Sequence, residues 1–216
     1  MVAALVPVKT LATAKSRLSA CLGAGERRAL TLAMLADVLD TLCGCPRIGS
    51  VTVVTADPCV VAFARQWPVQ FLDEVQPCGL SDAVARAVPY VTSDRVLVMP
   101  ADLPLIDGAA LDRVLDAAIP TPSMIIAPDR HGRGTNAVLT NAAKRVAWSF
   151  GPDSFARHVA EARAWGLVVG VLRDPRLGLD IDYPQDLAEF LTWRHMGHTG
   201  QFLARRFQIP AEAIPA

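Results

Sequence analysis

The chain has 216 residues, 52% of them hydrophobic, with a mean hydropathy of +0.31, enough for one sizeable buried core or a domain with an appendage. Lys plus Arg equals Asp plus Glu at 21 each, so the formal net charge is zero. That leaves no electrostatic footprint for nucleic acid or an anionic membrane. No apolar run approaches the roughly 18 residues of a bilayer span. The apolar start Met1–Val8 is too short for a signal peptide and has no basic segment before it. The five cysteines (Cys21, Cys43, Cys45, Cys59 and Cys78) are odd in number and scattered, with no paired C-x-x-C. They read as reduced thiols, used as small hydrophobes in a cytoplasmic chain.

Residues 2–8 read as a first strand, parallel and central. Lys9 at its exit and Lys15 and Arg17 in the following loop put three cations beyond one strand end. The pattern fits either a phosphate clamp or a solvated basic turn. Leu30, Ala33, Met34, Val38 and Leu42 follow the 3.6-residue period, predicting an amphipathic helix over Glu26–Thr41 that Cys43-Gly-Cys-Pro46 stops. Strand Val51–Thr55, helix Val60–Trp67 and strand Val69–Leu72 complete a β-α-β-α-β start. That order marks a parallel sheet with right-handed crossovers.

Gln76–Asp82 is a turn opening the helix Asp82–Val88. Gly79 permits close backbone approach there, and free N–H groups favour an anion or a base edge. After the connector Pro89–Asp94 comes Val96–Met99, apolar on both faces, then Pro100-Ala-Asp102-Leu-Pro104. A carboxylate at the end of a buried strand is costly unless a cation meets it. Ligands bind in the crevice beyond such strand ends. Asp102 is therefore either a metal ligand or a turn or cap residue before the segment Ile106–Ala118, whose helix spans Leu111–Ala118.

Strand Ser123–Ala127 leads into the loop 128–136 and an apolar return, Ala137–Leu139. Gly132 and Gly134 give backbone access, and Arg130, Arg133 and Thr135 can meet an anion. Gly151 and Ser154 stand at the start of the helix Ser154–Ala164, where Ser154 either caps the helix or binds phosphate. Leu167–Leu172 is a further strand. A strand-like Leu179-Asp-Ile-Asp182 turns Asp180 and Asp182 to one face, which needs a cation beside them. Pro184 starts the helix Gln185–Trp193, with Asp186 serving its first turn. Residues 194–216 differ from the rest. They carry His195, His198, Arg205, Arg206, Phe202, Leu203, Phe207 and Ile209, an amphipathic segment suited to packing on the body or on a second subunit. Nothing near the two histidines completes a metal site.

Three aspartates without Cys or His partners suit hard Mg2+, which bridges carboxylates to substrate phosphates. The cations after strand one would offset a triphosphate. This is a kit for nucleotidyl transfer, in which catalysis is mostly positioning and charge neutralisation. Neither G-x-x-x-x-G-K-[ST] nor a G-x-G-x-x-G after a strand is present.

Several stretches then carry a resemblance: Val6-Pro-Val-Lys9 with Ala14-Lys-Ser-Arg-Leu18, Pro100-Ala-Asp-Leu-Pro104, Gly134-Thr-Asn-Ala137, Phe150-Gly151 with Ser154-Phe155 and His158, and Leu179-Asp-Ile-Asp182 with Asp186-Leu187. In this order, over roughly residues 4–190, the chain resembles the 2-phospho-L-lactate guanylyltransferases. That family includes the phosphoenolpyruvate and 3-phospho-D-glycerate enzymes of coenzyme F-420 biosynthesis. The resemblance implies a single-domain α/β nucleotidyltransferase fold over residues 1–193, GT-A-like and Rossmann-like. Its three layers are α/β/α, with a mixed, mostly parallel sheet; residues 194–216 have no counterpart in the resemblance and form a tail that packs either on the body or on the partner of a homodimer. It implies that GTP and a small phosphorylated acid give a guanosine-diphosphate-linked acid plus pyrophosphate. It further implies Mg2+ on Asp102, Asp180 and Asp182, and GTP phosphates on Lys9, Lys15 and Arg17. Guanine would lie at Gly79-Leu80 with Ser81, and the acceptor at Thr135, Gly151 and Ser154. The family's turn reads Gly-Leu-Asn, and Ser81 here removes one amide from the expected base pocket. Two alternatives stand beside this reading. One is another nucleotidyltransferase, although the Gly-x-Gly-x-Arg first loop of cytidylyl and uridylyl enzymes is missing. The other is a non-catalytic nucleotide-binding regulator, which needs no acceptor site.

Overall fold

The computed structural model describes residues 1–73 and 79–209. Its strands are β1 (Val2–Pro7), β2 (Ile48–Thr55), β3 (Gln70–Asp73), β4 (Val96–Val98), β5 (Ser123–Pro128), β6 (Thr135–Thr140) and β7 (Val168–Val171). Its helices are α1 (Ala24–Gly44), α2 (Pro58–Ala64), α3 (Leu80–Ala87), α4 (Gly108–Asp116), α5 (Ser154–Ala164), α6 (Pro175–Gly178), α7 (Pro184–Thr192) and α8 (His198–Phe207). The strands form one sheet in the order β3-β2-β1-β4-β6-β5-β7. β1 is central and parallel to both β2 and β4, while β6 runs antiparallel to β4 and to β5. The remaining pairings are parallel, as the β-α-β-α-β reading requires.

Alternation along β1 shows how the layers arise. Val2, Ala4 and Val6 enter one core with α1, α2 and α4. Ala3 and Leu5 enter the opposite core with α3 and α5. Both faces of the sheet are thus covered, which gives the expected α/β/α sandwich. β1 sits where successive crossovers diverge, toward β2 on one side and β4 on the other. The crevice beyond its C-terminal end is the place a ligand takes in such a sheet.

A third core lies at that end of the molecule. Leu18 and Leu22 from the loop after β1 pack with Leu30 and Met34 of α1, and with Leu179, Ile181, Phe190 and Leu203. Each such fully buried side chain contributes about 1.5–3 kcal/mol. The basic loop and the acidic segment 179–182 are therefore anchored in the same apolar cluster. Asp57 pins the loop from the other side: its carboxylate caps α2 through Cys59 N–H (2.9 Å) and accepts Leu11 N–H (2.8 Å).

Several boundaries differ from the sequence reading. α2 begins at Pro58, which needs no N–H in a first turn, and ends at Ala64, ahead of Pro68. α4 begins at Gly108 because Asp107 caps it, accepting Ala110 N–H at 2.8 Å. Leu179–Asp182 is not a strand. A short helical turn, α6, precedes it, and the segment runs extended outside the sheet. It still alternates, with Leu179 and Ile181 buried and Asp180 and Asp182 facing out, because the third core grips every second side chain. The tail is packed on its own chain. α8 lies along α1, and the buried Asp37 of α1 accepts the N–H groups of His198 (2.6 Å) and Thr199 (3.0 Å) at its first turn. No helix among the described residues is long and apolar enough to cross a membrane.

Candidate active site

Asp102 follows β4, where Val98 pairs with Val138 of the antiparallel β6. The chain leaving β4 therefore runs beside the start of β6, at Thr135 and Asn136. Asp102 does not cap α4, since Asp107 does. Oxygens of Asp102, Asp180 and Asp182 lie within 4.8 Å of one another.

Lys15 is the cation that meets them. Its backbone is left-handed (φ 50), uncommon for a residue with a side chain. The following 3-10 turn, Ser16–Leu18, seats Leu18 in the third core. The Lys15 ammonium lies 2.8 Å from Asp102 Oδ2 and 2.9 Å from Asp182 Oδ1, with the side chain 8% exposed. Burial works against its charge, but the two carboxylates more than offset this and raise its pKa. Arg17 reaches Asp182 Oδ2 at 3.2 Å and lies over the Tyr183 ring. Lys9 is exposed at the exit of β1. Burial opposes ionisation of Asp182, yet Lys15, then Arg17 and Lys9, hold its carboxyl below the usual range. The solvated-turn reading of Lys15 is thus set aside: it is an internal counter-ion.

Asp180 is different. Among the described residues it makes no salt bridge. The Asn136 side-chain amide donates to its Oδ1 (3.2 Å) and to the Leu177 carbonyl (2.9 Å). Burial first, and the Asp102 charge second, push Asp180 up to about 7. A half-buried carboxylate with no salt bridge of its own, close to two more carboxylates, is a hard-donor set that fits a divalent ion. Asp186 holds the cluster from behind. Its Oδ2 accepts the N–H groups of Asp182 (2.8 Å) and Tyr183 (2.6 Å), and Arg130 pairs with its Oδ1 at 2.5 Å.

Thr135 and Asn136 are neighbours on β6 and point to opposite faces. Asn136 faces the acids, and Thr135 faces a second, uncharged cluster. Thr135 Oγ1 lies 3.0 Å from Nδ1 of His158, and the N–H of Ser149 donates to His158 Nε2 at 3.1 Å. His158 is fully buried, edge-on to Phe150 at 4.9 Å. Burial first, then the Arg157 charge, lower its pKa to about 4, so it is neutral. Gly151 adopts φ 107, which a residue with Cβ resists, and Asp153 takes the cap position of α5. Ser154 is therefore not the cap. It is the first helical residue, buried, and its hydroxyl makes no hydrogen bond to a described residue. Phe155 N–H donates to the Arg133 carbonyl (3.0 Å), tying the loop after β5 to this helix start.

The turn before α3 also comes here. Gly79 has φ 92, Leu80 begins the helix, and Ser81 Oγ donates to the Phe150 carbonyl at 3.4 Å. Gln76–Cys78 of the expected turn lies outside the described residues. A separate cleft of about 480 Å³ opens between α2 and β3, lined by residues such as Thr55, Val61, Phe71 and Asp73. None of the expected site residues lines it. Sequence reasoning gave no role to Asn136 or His158. Asn136 sits inside a quoted stretch, and His158 stands four residues after Ser154, on the same helix face.

Known proteins similar to this chain point to one family and one fold. The family model described as "Guanylyl transferase CofC like" matches residues 2–214, so it runs through the tail. The phosphoenolpyruvate guanylyltransferase of Sphaerobacter thermophilus is 40% identical over 193 residues, covering 86% of this chain and 90% of that one. The 2-phospho-L-lactate guanylyltransferase of Methanothermobacter thermautotrophicus is 34% identical over 209 residues, covering 95% and 92%. In fold, the chain is similar to a solved structure from Desulfovibrio desulfuricans G20 named for a nucleotide-diphospho-sugar transferase. The TM-score is 0.76 at 18% identity, over 96% of this chain and 95% of that one. By a family model that spans nearly the whole chain, and by relatives of 40% and 34% identity, this chain belongs to the CofC-like guanylyl transferase family.

Proposed function

We propose that this protein joins the guanylyl group of GTP to phosphoenolpyruvate, releasing pyrophosphate, as a step toward a deazaflavin coenzyme of the F-420 type. The carrying observation is a juxtaposition across β6: three carboxylates, two of them bridged by Lys15, on one side, and the buried Thr135 hydroxyl against His158 on the other, with the buried Ser154 one turn before His158 at the start of α5. The first suits a charged triphosphate, and the second a smaller anion. A regulator that only bound nucleotide would have no use for the second.

Asp102, Asp180 and Asp182 would hold Mg2+, which when bound offsets charge on the triphosphate and on the departing pyrophosphate. Lys15 now bridges Asp102 and Asp182; were those carboxylates to hold the ion, Lys15 would be free to meet phosphate oxygens with Arg17 and Lys9. Gly79, Leu80 and Ser81 border the guanine, and Ser81 leaves the base fewer side-chain donors than an amide would. Thr135, Ser154 and the Gly151 backbone hold the acceptor so that its phosphate oxygen faces the α-phosphorus in line. A new oxygen–phosphorus bond forms, and the bond from the α-phosphorus to the bridging oxygen breaks. The acceptor oxygen is already anionic, so no protein nucleophile or base is required. Catalysis is positioning and charge offset.

Phosphoenolpyruvate is preferred because the relative at 40% identity carries that name, against 34% for the 2-phospho-L-lactate enzyme. Purified protein is incubated with GTP, Mg2+ and, in parallel, phosphoenolpyruvate, 2-phospho-L-lactate and 3-phospho-D-glycerate. Pyrophosphate is measured and products are identified by mass. Fastest release with phosphoenolpyruvate is expected. Faster turnover of another acid overturns the acceptor assignment, and no release with any acid overturns the enzyme reading.

A further inference from the structure

We infer that His158 is a positioning residue that fixes the Thr135 hydroxyl as a hydrogen-bond donor toward the acceptor's anionic oxygens. This rests on the reading of Thr135 and Ser154 as the acceptor site. Ser149 contributes a backbone N–H, which can only donate, and it points at His158 Nε2 at 3.1 Å. Nε2 must therefore carry the lone pair. In a neutral imidazole the proton is then on Nδ1, and Nδ1 lies 3.0 Å from Thr135 Oγ1. Nδ1–H donates, and the threonine oxygen accepts.

A hydroxyl whose lone pair is engaged in this way keeps its own proton for another acceptor. Thr135 Oγ1 has no other hydrogen-bond partner among the described residues, and Thr135 is 6% exposed. A buried donor without an acceptor is costly, and an anionic oxygen of the phospho-acid would satisfy it. The opposite tautomer would force Thr135 to donate to Nδ1 and turn two lone pairs toward an anion, which repels it. The ring itself cannot drift. Phe150 stands edge-on to it at 4.9 Å and Trp148 at 6.3 Å, and neither His158 nor Thr135 pairs with a charged side chain. The acceptor is thus held on this side by oriented neutral donors. Its grip depends on a residue that never touches it.

The test has two readouts. In protein labelled with 15N-histidine, long-range proton–nitrogen correlation spectra at neutral pH should show the His158 ring protonated at Nδ1 and bare at Nε2. The signals are assigned by their loss in His158→Asn. A ring protonated at Nε2 overturns the proposal whatever the kinetics show. Kinetically, His158→Phe keeps the ring packing and removes both nitrogens. It should raise the acceptor KM about tenfold while the GTP KM stays within about twofold. His158→Asn restores an N–H near the Nδ1 position and should fall between Phe and wild type. A purely structural role predicts instead that both KM values move together. Thr135→Val separates the proposal from the reading beneath it. If Thr135→Val raises the acceptor KM and neither His158 variant does, the acceptor site stands and the role of His158 falls. If Thr135→Val also leaves the acceptor KM unchanged, the acceptor site itself is wrong and the proposal falls with it. Should His158→Phe fail to fold, the wild-type tautomer and His158→Asn decide the matter.

Discussion

At Asp102, Asp180 and Asp182, charge is met by charge. Lys15 bridges two of the acids, Arg17 flanks one, and the third is left to an amide. A few residues away, across β6, Thr135, Ser154 and His158 are buried and carry no formal charge. In the function proposed above, the first cluster would exchange Lys15 for a metal ion, since its carboxylates are partly solvated. The second is built to stay as it is. In the inference above, the Thr135 hydroxyl gains direction from the His158 ring rather than strength from an ion. A nucleotide with a metal needs the former, because its charge is large and must be offset. A small acid that has to be told from its close analogues needs the latter, because oriented donors read position as well as charge.

The sharpest way to break the comparison is Asp102→Asn. It keeps the shape and removes one anionic ligand, so turnover should fall about a thousandfold or more, with the thermal midpoint near that of wild type. Wild-type-like pyrophosphate release would remove Asp102 from the site. Lys15→Ala comes next. Loss of the counter-ion should cost about 2 kcal/mol, less than for a fully buried pair, because Asp102 and Asp182 keep contact with water. Added Mg2+ should then raise the melting temperature more in the variant than in wild type. Equal shifts would mean that Lys15 and the cation do not share these acids.

The third prediction concerns pH. The His158 pKa is depressed in the fold, from 6.5 to about 4, by burial and then by Arg157, with Glu161 opposing. The unfolded chain therefore binds the proton first. The stability held above pH 6.5 is lost as pH falls toward 4. Between pH 7 and pH 5 wild type should lose roughly 2 kcal/mol more than His158→Asn, which cannot titrate. Denaturant unfolding of both at the two pH values measures this, and parallel losses would mean that the ring is not buried as a neutral base. The smallest effect is expected for Ser154→Ala, an acceptor KM about tenfold higher with the GTP KM unchanged. Equal changes in both would leave Ser154 a packing residue.

Much of the fold was legible because its causes are local. The 3.6-residue period of α1, the apolar run of β4 and the boundaries of α5 follow from side-chain order alone. The expected same-face pairing of Asp180 and Asp182 also holds, although for a different reason than a strand. Period-two alternation needs only an extended chain with one buried side, and the third core supplies it. Capping, the alternative role for Asp102 and Ser154, falls instead to Asp107 for α4, and Asp153 takes the N-cap position of α5. A cap depends on where the backbone turns, and several polar residues nearby could equally have served.

The α/β layering, the three aspartates, the cations after β1 and the two small-residue turns are legible in the order of residues, because periodicity and residue chemistry are properties of the chain. What each of them faces follows from packing. Lys15 and Asp182 are 167 positions apart in sequence, and Thr135 and His158 are 23 apart. No periodicity links such distances. They are closed by the shared core beneath Leu18 and Ile181 and by the antiparallel entry of β6 beside β4. That packing sets Lys15 between two of the acids and the His158 ring against the Thr135 hydroxyl.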